Sequence, residues 1–272
     1  MRRWVSLLGL IALVLNPAQH TQANGSFSVQ RASHGLKLTL TLPTNVYPMN
    51  ALIRVRIDIR NVSRRVVYLD QWGAPCEGLN GFNDPGVEVL DGAGKQMYPP
   101  AIFGFPLPPC APQPNRKLRT VQAGHTLSRQ VYAILRGSRI RASVSARNAT
   151  TPSSSGSTFR VTTPSLNLHL TAGARPHADV HTVAPDISAD IQPSGPVQGP
   201  LRYIAWNQCP AGSTATSGTV SAVWASAHGT HLSPSCSPVN TWAVVAGWVG
   251  RPVAEIQYSS SDLPPPPPAP SK

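Results

Sequence analysis

Two stretches of strict alternation decide what this chain can become. Gly35 to Leu42 reads GLKLTLTL, with Leu36, Leu38, Leu40 and Leu42 on one face and Lys37, Thr39 and Thr41 on the other. Ile53 to Arg60 reads IRVRIDIR, setting Ile53, Val55, Ile57 and Ile59 against Arg54, Arg56, Asp58 and Arg60. A side-chain repeat of two belongs to the β-strand, and apolar–polar alternation marks a strand with one face buried and one wet. Val66–Leu69, Val87–Leu90, Thr126–Leu135, Arg139–Ala146 and the Leu166, Leu168, Leu170 series extend the pattern, with turns at Asp91–Gly94 and Val121–Gly124. The 29 prolines in 272 residues argue against long helices. The predicted fold class is all-β: an immunoglobulin-like antiparallel β-sandwich over residues 24–171 plus a small disulfide-stabilised β module over 201–259. Residues 172–200, aperiodic and interrupted by prolines, read as a linker. Residues 260–272 read as a proline-rich tail.

The first residues predict export. Arg2 and Arg3 precede an apolar run from Trp4 to Leu15, which stops at Asn16, and Thr21 and Ala23 place small residues where a signal peptidase reads. Residues 1–23 are therefore expected to be a signal peptide cleaved near Ala23, with the mature chain secreted and extracellular and without a transmembrane segment. An oxidising compartment gives the cysteines a structural reading, and sequential pairing, Cys76 with Cys110 and Cys209 with Cys236, keeps each bridge inside its own region.

The strand Ile53–Arg60, the turn Asn61-Val62-Ser63 and the strand after it, then Val87-Glu88-Val89-Leu90-Asp91 with Gly94-Lys95, then Gly124 before a further strand, together resemble the BsuPI-type intracellular proteinase-inhibitor domain over residues 36–147. The resemblance implies an immunoglobulin-like sandwich and, as an activity, inhibition of a serine protease. The proline-rich 99–119 loop is the candidate inhibitory element, with Phe103, Phe105, Leu107, Arg116, Lys117 and Arg119 as candidate contacts.

Charge supplies another candidate. Between residues 92 and 178 there are eleven basic groups and no Asp or Glu. The 116–147 region, with Arg129, Arg136, Arg139, Arg141 and Arg147, is the candidate polyanion site, set against the plainer reading of a solvated strand surface. Asp91–Lys95 reads as a hairpin turn rather than a phosphate loop, because no helix follows it. His177 and His181 have metal-like spacing only on a helix, and the flanking Pro176 and Pro185 favour a solvated segment; no metal and no cofactor are expected. Trp206, Trp224, Trp242 and Trp248 offer a glycan platform or a core, and a small module spends its aromatics on its core. The expectation is an exported, non-enzymatic binding or adhesion protein acting at or outside the bacterial cell surface. Its partner would be a protein or a cell-surface polyanion, with no specific nucleic acid. Protease inhibition and polyanion binding are the alternatives.

Overall fold

The computed structural model describes residues 21–23, 26–70, 86–97, 119–148, 157–183, 186–197, 199–220 and 230–260. These residues form an all-β protein of several antiparallel sheets, with one short parallel pair. Among them no helix is long and apolar enough to cross a membrane.

The first sheet runs β1 (Thr21–Ala23), β2 (Ser26–Ser33), β3 (Leu36–Leu42), β5 (Leu52–Asn61), β9 (Thr126–Ile134). The second runs β11 (Ser157–Thr162), β10 (Arg139–Asn148), β6 (Val67–Asp70), β8 (Arg119–Val121), with β7 (Val87–Leu90) and β12 (Leu166–Asn167) also pairing to β10. Two short strands, β4 (Val46–Pro48) and β13 (His169–Thr171), pair in parallel. Leu36, Leu38, Leu40, Ile53, Val55, Ile57 and Ile59 meet Leu69, Val89, Ile140 and Val144 in the sandwich core, the arrangement that the alternation predicts. His34 and Gly35 adopt positive φ of 49° and 77° in the tight turn joining β2 to β3, a twist that suits a two-residue hairpin.

Asn61, the turn residue of the resemblance, is fully buried. Its amide donates to the carbonyls of Arg65 (2.7 Å) and Val121 (2.8 Å), and its Oδ1 accepts from the Ser63 backbone N–H (2.9 Å) and hydroxyl (2.8 Å). It ties the end of β5 to the turn before β6 and to the end of β8.

The second half of the chain holds more structure than its sequence announces. A four-stranded sheet runs β17 (Gly212–Val220), β16 (Leu201–Cys209), β19 (Thr241–Gly247), β20 (Ala254–Ser259). A three-stranded sheet runs β14 (His177–Val183), β15 (Asp186–Gln192), β18 (Thr230–Leu232). Two of those strands, β14 and β15, lie within 172–200, so the stretch expected as a linker contains a hairpin. Ile187, Ala189 and Ile191 alternate into a core with Trp242, Val244, Ala246, Trp248 and Ile256, and this burial orders the segment. Cys209 and Cys236 form the expected disulfide, closing a separation of 27 residues and worth about 3 to 4 kcal/mol on a chain-entropy basis. Cys76, Cys110 and Trp224 lie outside the described residues.

A third core joins the halves. Leu52 and Ile134 lie opposite each other on the outer face of the first sheet, and pack with Ile204, Trp206, Ala243 and Val245 from the four-stranded sheet and with Val253 just before β20. The Leu52 N–H donates to the Arg251 carbonyl (2.9 Å) and the Gly250 N–H to the Leu52 carbonyl (2.7 Å). Arg136 pairs with Glu255, and the Arg202 guanidinium lies 3.9 Å from the ring centre of Tyr132. Among the described residues the four larger sheets are therefore stacked with a core between each successive pair.

Two outcomes follow from this packing. Ile204→Ala, removing a buried side chain from the joining core, is expected to cost about 2 to 4 kcal/mol. In denaturant its far-UV circular dichroism and tryptophan fluorescence shift together in one transition; two separated transitions would contradict a shared core. Asn61→Ala removes the amide that reaches the Val121 carbonyl in a buried setting and leaves the Ser63 backbone N–H without its acceptor, and is expected to cost about 2 to 3 kcal/mol in the same measurement.

Candidate functional site

The outward face of the three-stranded sheet gathers chemistry that is scattered along the chain. Period two puts Ile187, Ala189 and Ile191 inward and leaves Ser188, Asp190 and Gln192 outward on β15. The register then sets His181 opposite Ser188, Asp179 opposite Asp190 and, on the other side, His231 opposite Asp190. Like charges directly opposite each other destabilise a strand pair. Here the histidines offset the cost: His177 Nε2 lies 2.8 Å from Asp179, and Asp190 accepts from His181 Nε2 through one oxygen and His231 Nδ1 through the other, both at 3.0 Å. Because a carboxylate only accepts, the protons sit on those two ring nitrogens. Partial desolvation raises the pKa of Asp190, and the hydrogen bonds and charge of His231 and then His181 outweigh it, holding the carboxyl below its ordinary value.

His181 and His231, the two partners of Asp190, border a cleft of about 500 Å³, within the range of small-molecule sites. His181, Asp186, Ser188 and His231 form one side, and the segment from Ser233 to Ser237 forms the other. That segment is fixed at Cys236 by the disulfide to the end of β16. Ser235 Oγ lies 3.1 Å from both Asn207 Nδ2 and Thr214 Oγ1, and the Ser237 hydroxyl donates to Asp186. The imidazoles are bonded to Asp190, and Ser235 and Ser237 are bonded elsewhere. The arrangement presents a wall of hydrogen-bonding groups in which neither Ser235 nor Ser237 is bonded to an imidazole. Among the described residues no group of three or more His, Cys, Asp or Glu side chains is arranged to hold a metal ion.

The basic residues singled out in the sequence do not all converge. Arg129 is half-buried on the inner face of β9, on the side of Val131, and Arg136 faces Glu255 in the joining interface. Arg139, Arg141 and Arg147 share the outer face of β10 in the other sheet. There Arg141 binds Glu88 through Nε (2.7 Å), and Arg160 also pairs with Glu88, so a buried carboxylate takes up two of the cations on that face. Arg119 is exposed at the start of β8. Phe103, Phe105, Leu107, Arg116 and Lys117 lie outside the described residues. Trp206, Trp242 and Trp248 are buried in cores, which removes them as a glycan platform. Sequence reading noted His177 and His181 but missed Asp190 and His231. The alternation of residues 187–192 was the available signal for Asp190, whereas His231 lies 41 residues further on and reaches it only through the fold.

The chain matches no protein-family model and no curated protein.

The lowered pKa of Asp190 fixes the sign of one measurement. The stability it contributes is present above the ordinary carboxyl value of 3.8 and is lost as pH falls through the lowered value. Asp190→Asn is expected to be less stable than the wild type near neutral pH, by less than about 1 kcal/mol for so exposed a group. The gap closes as thermal melts are taken to pH values below about 4. A gap that grows on acidification would contradict the assignment.

Proposed function

We propose that this chain is an exported, non-catalytic binding protein acting at or outside the bacterial cell surface, and that it takes a small polar ligand in the cleft beside Asp190. The observation that carries this reading is the convergence of His181, His231, Asp186, Ser188 and the Ser233–Ser237 segment on one disulfide-anchored cleft. Convergent polar groups on a fixed wall are what recognition of a hydrogen-bonding ligand needs, since little ordering is left to be done on binding. The Ser235 and Ser237 hydroxyls are bonded to Asn207, Thr214 and Asp186 rather than to an imidazole, which supports recognition over nucleophilic catalysis. The disulfide suits an oxidising compartment. The leader reading supports export, and cleavage after Ala23 removes β1 and leaves β2 as the sheet edge.

The test uses the mature chain, from residue 24, and isolated bacterial envelopes. The expected result is saturable co-sedimentation that Asp190→Ala combined with His231→Ala weakens at least tenfold while the circular dichroism spectrum stays unchanged. Equal co-sedimentation of the variant would overturn the cleft as the site. No co-sedimentation of the wild type would overturn surface binding.

A further inference from the structure

The outer face of the first sheet changes character along β5. Its outward residues are Leu52, Arg54, Arg56, Asp58 and Arg60; the first is sealed under the four-stranded sheet, and the three arginines are exposed. The register brings neighbours onto the same face. On β3, Lys37 stands opposite Arg60, Thr39 opposite Asp58 and Thr41 opposite Arg56. On β9, Tyr132 stands opposite Arg54, Gln130 opposite Arg56 and Ser128 opposite Asp58. Arg202 enters from the second module, 3.9 Å over the ring of Tyr132, and adds a fifth cation at the rim. Among the described residues of this face, the carboxylate standing against these five is that of Asp58, held by Arg56 Nε at 3.0 Å and by the Ser128 hydroxyl.

A face of this kind attracts a polyanion, and its other groups say which kind. Successive outward residues on a strand are about 7 Å apart and neighbouring strands about 5 Å apart, so an extended polymer lying along β5 meets cations repeatedly. Guanidinium forks match the two oxygens of a carboxylate. Between the cations lie Thr39, Thr41, Ser128 and Gln130, short hydroxyl and amide groups suited to sugar hydroxyls. A single-stranded nucleic acid would want aromatic faces for its bases, and the aromatic ring here, Tyr132, is already covered by Arg202.

We propose that the outer face of the first sheet, centred on Arg54, Arg56 and Arg60 and bounded by Lys37 and Arg202, binds a carboxylate-bearing polysaccharide. This surface is separate from the cleft beside Asp190, and the soluble probe below tests it alone.

The probe is a fluorescently labelled polygalacturonate oligomer titrated with the mature chain, residue 24 onward, at low salt. Saturable binding is expected, with an affinity that falls steeply and linearly in a log–log plot against salt. The triple variant Arg54→Ser, Arg56→Ser, Arg60→Ser is expected to weaken binding at least thirtyfold and to flatten that slope. Arg139→Ser with Arg147→Ser, on the other sheet, is expected to change it less than threefold. Methyl-esterified polygalacturonate should compete at least thirtyfold less well against the wild-type protein, a comparison that needs no variant. A triple variant that binds like the wild type, an ester that competes equally, or a 20-nucleotide single-stranded DNA that binds as tightly as the uronate would each overturn the proposal.

Discussion

The whole arrangement turns on β5 being buried on both faces at one end and on one face at the other. Ile53, Val55, Ile57 and Ile59 fill the sandwich core, while Leu52 on the opposite face closes against Ile204, Trp206 and Val245. Apolar surface removed from water is the main favourable term available to an all-β chain of this size. Placing it on both sides of one strand turns two modules into consecutive layers of one stack. From Arg54 onward the same face is wet and cationic, so the edge of the joining core is also the edge of the exposed basic surface.

The second module repeats this logic. Ala243 and Val245 look toward the sandwich, and Trp242, Val244 and Ala246 look toward the hairpin of β14 and β15. A strand covered on both faces reads as a continuous apolar run, and TWAVVAG is such a run. The hairpin has one buried face, Ile187, Ala189 and Ile191, and so must present polar residues on the other. The polar face is where His177, Asp179, His181 and Asp190 meet His231. Burial on one side of this thin sheet therefore organises the cleft on the other, with the Cys209–Cys236 bridge fixing its far wall.

The sequence was informative where a single face is buried. GLKLTLTL and IRVRIDIR became β3 and most of β5 with the expected faces, and the turn at Asp91–Gly94 closes a pairing of Leu90 with Gln96. It was less informative where alternation breaks for a physical reason. The adjacent pair Leu52-Ile53 and the run Ala133-Ile134-Leu135 carry apolar residues on both faces because a second sheet covers them. A pattern rule tuned to half-buried strands has no place for that. The β2 strand, SFSVQRAS, has a weak alternation, and its clearest mark is the His34-Gly35 turn. The β14–β15 hairpin was hidden by its histidines, aspartates and flanking prolines, which look like solvated linker until the isoleucines are counted. The pairing of His231 with Asp190 and the seat of Arg202 on Tyr132 are tertiary, and local pattern carries no trace of them.

Native-state hydrogen exchange at the joint between the modules tests the central claim most directly. The amides of Leu52, Gly250 and Val253 bond across it, to Arg251, Leu52 and Asn50. If β5 belongs to two cores at once, these amides exchange only through global opening and are as protected as those of Val55 and Ile57 in the middle of the strand. Exchange at the joint a hundredfold or more faster than at Val55, with the sandwich core still protected, would mean that the second module comes away as a separate unit, and would contradict the account.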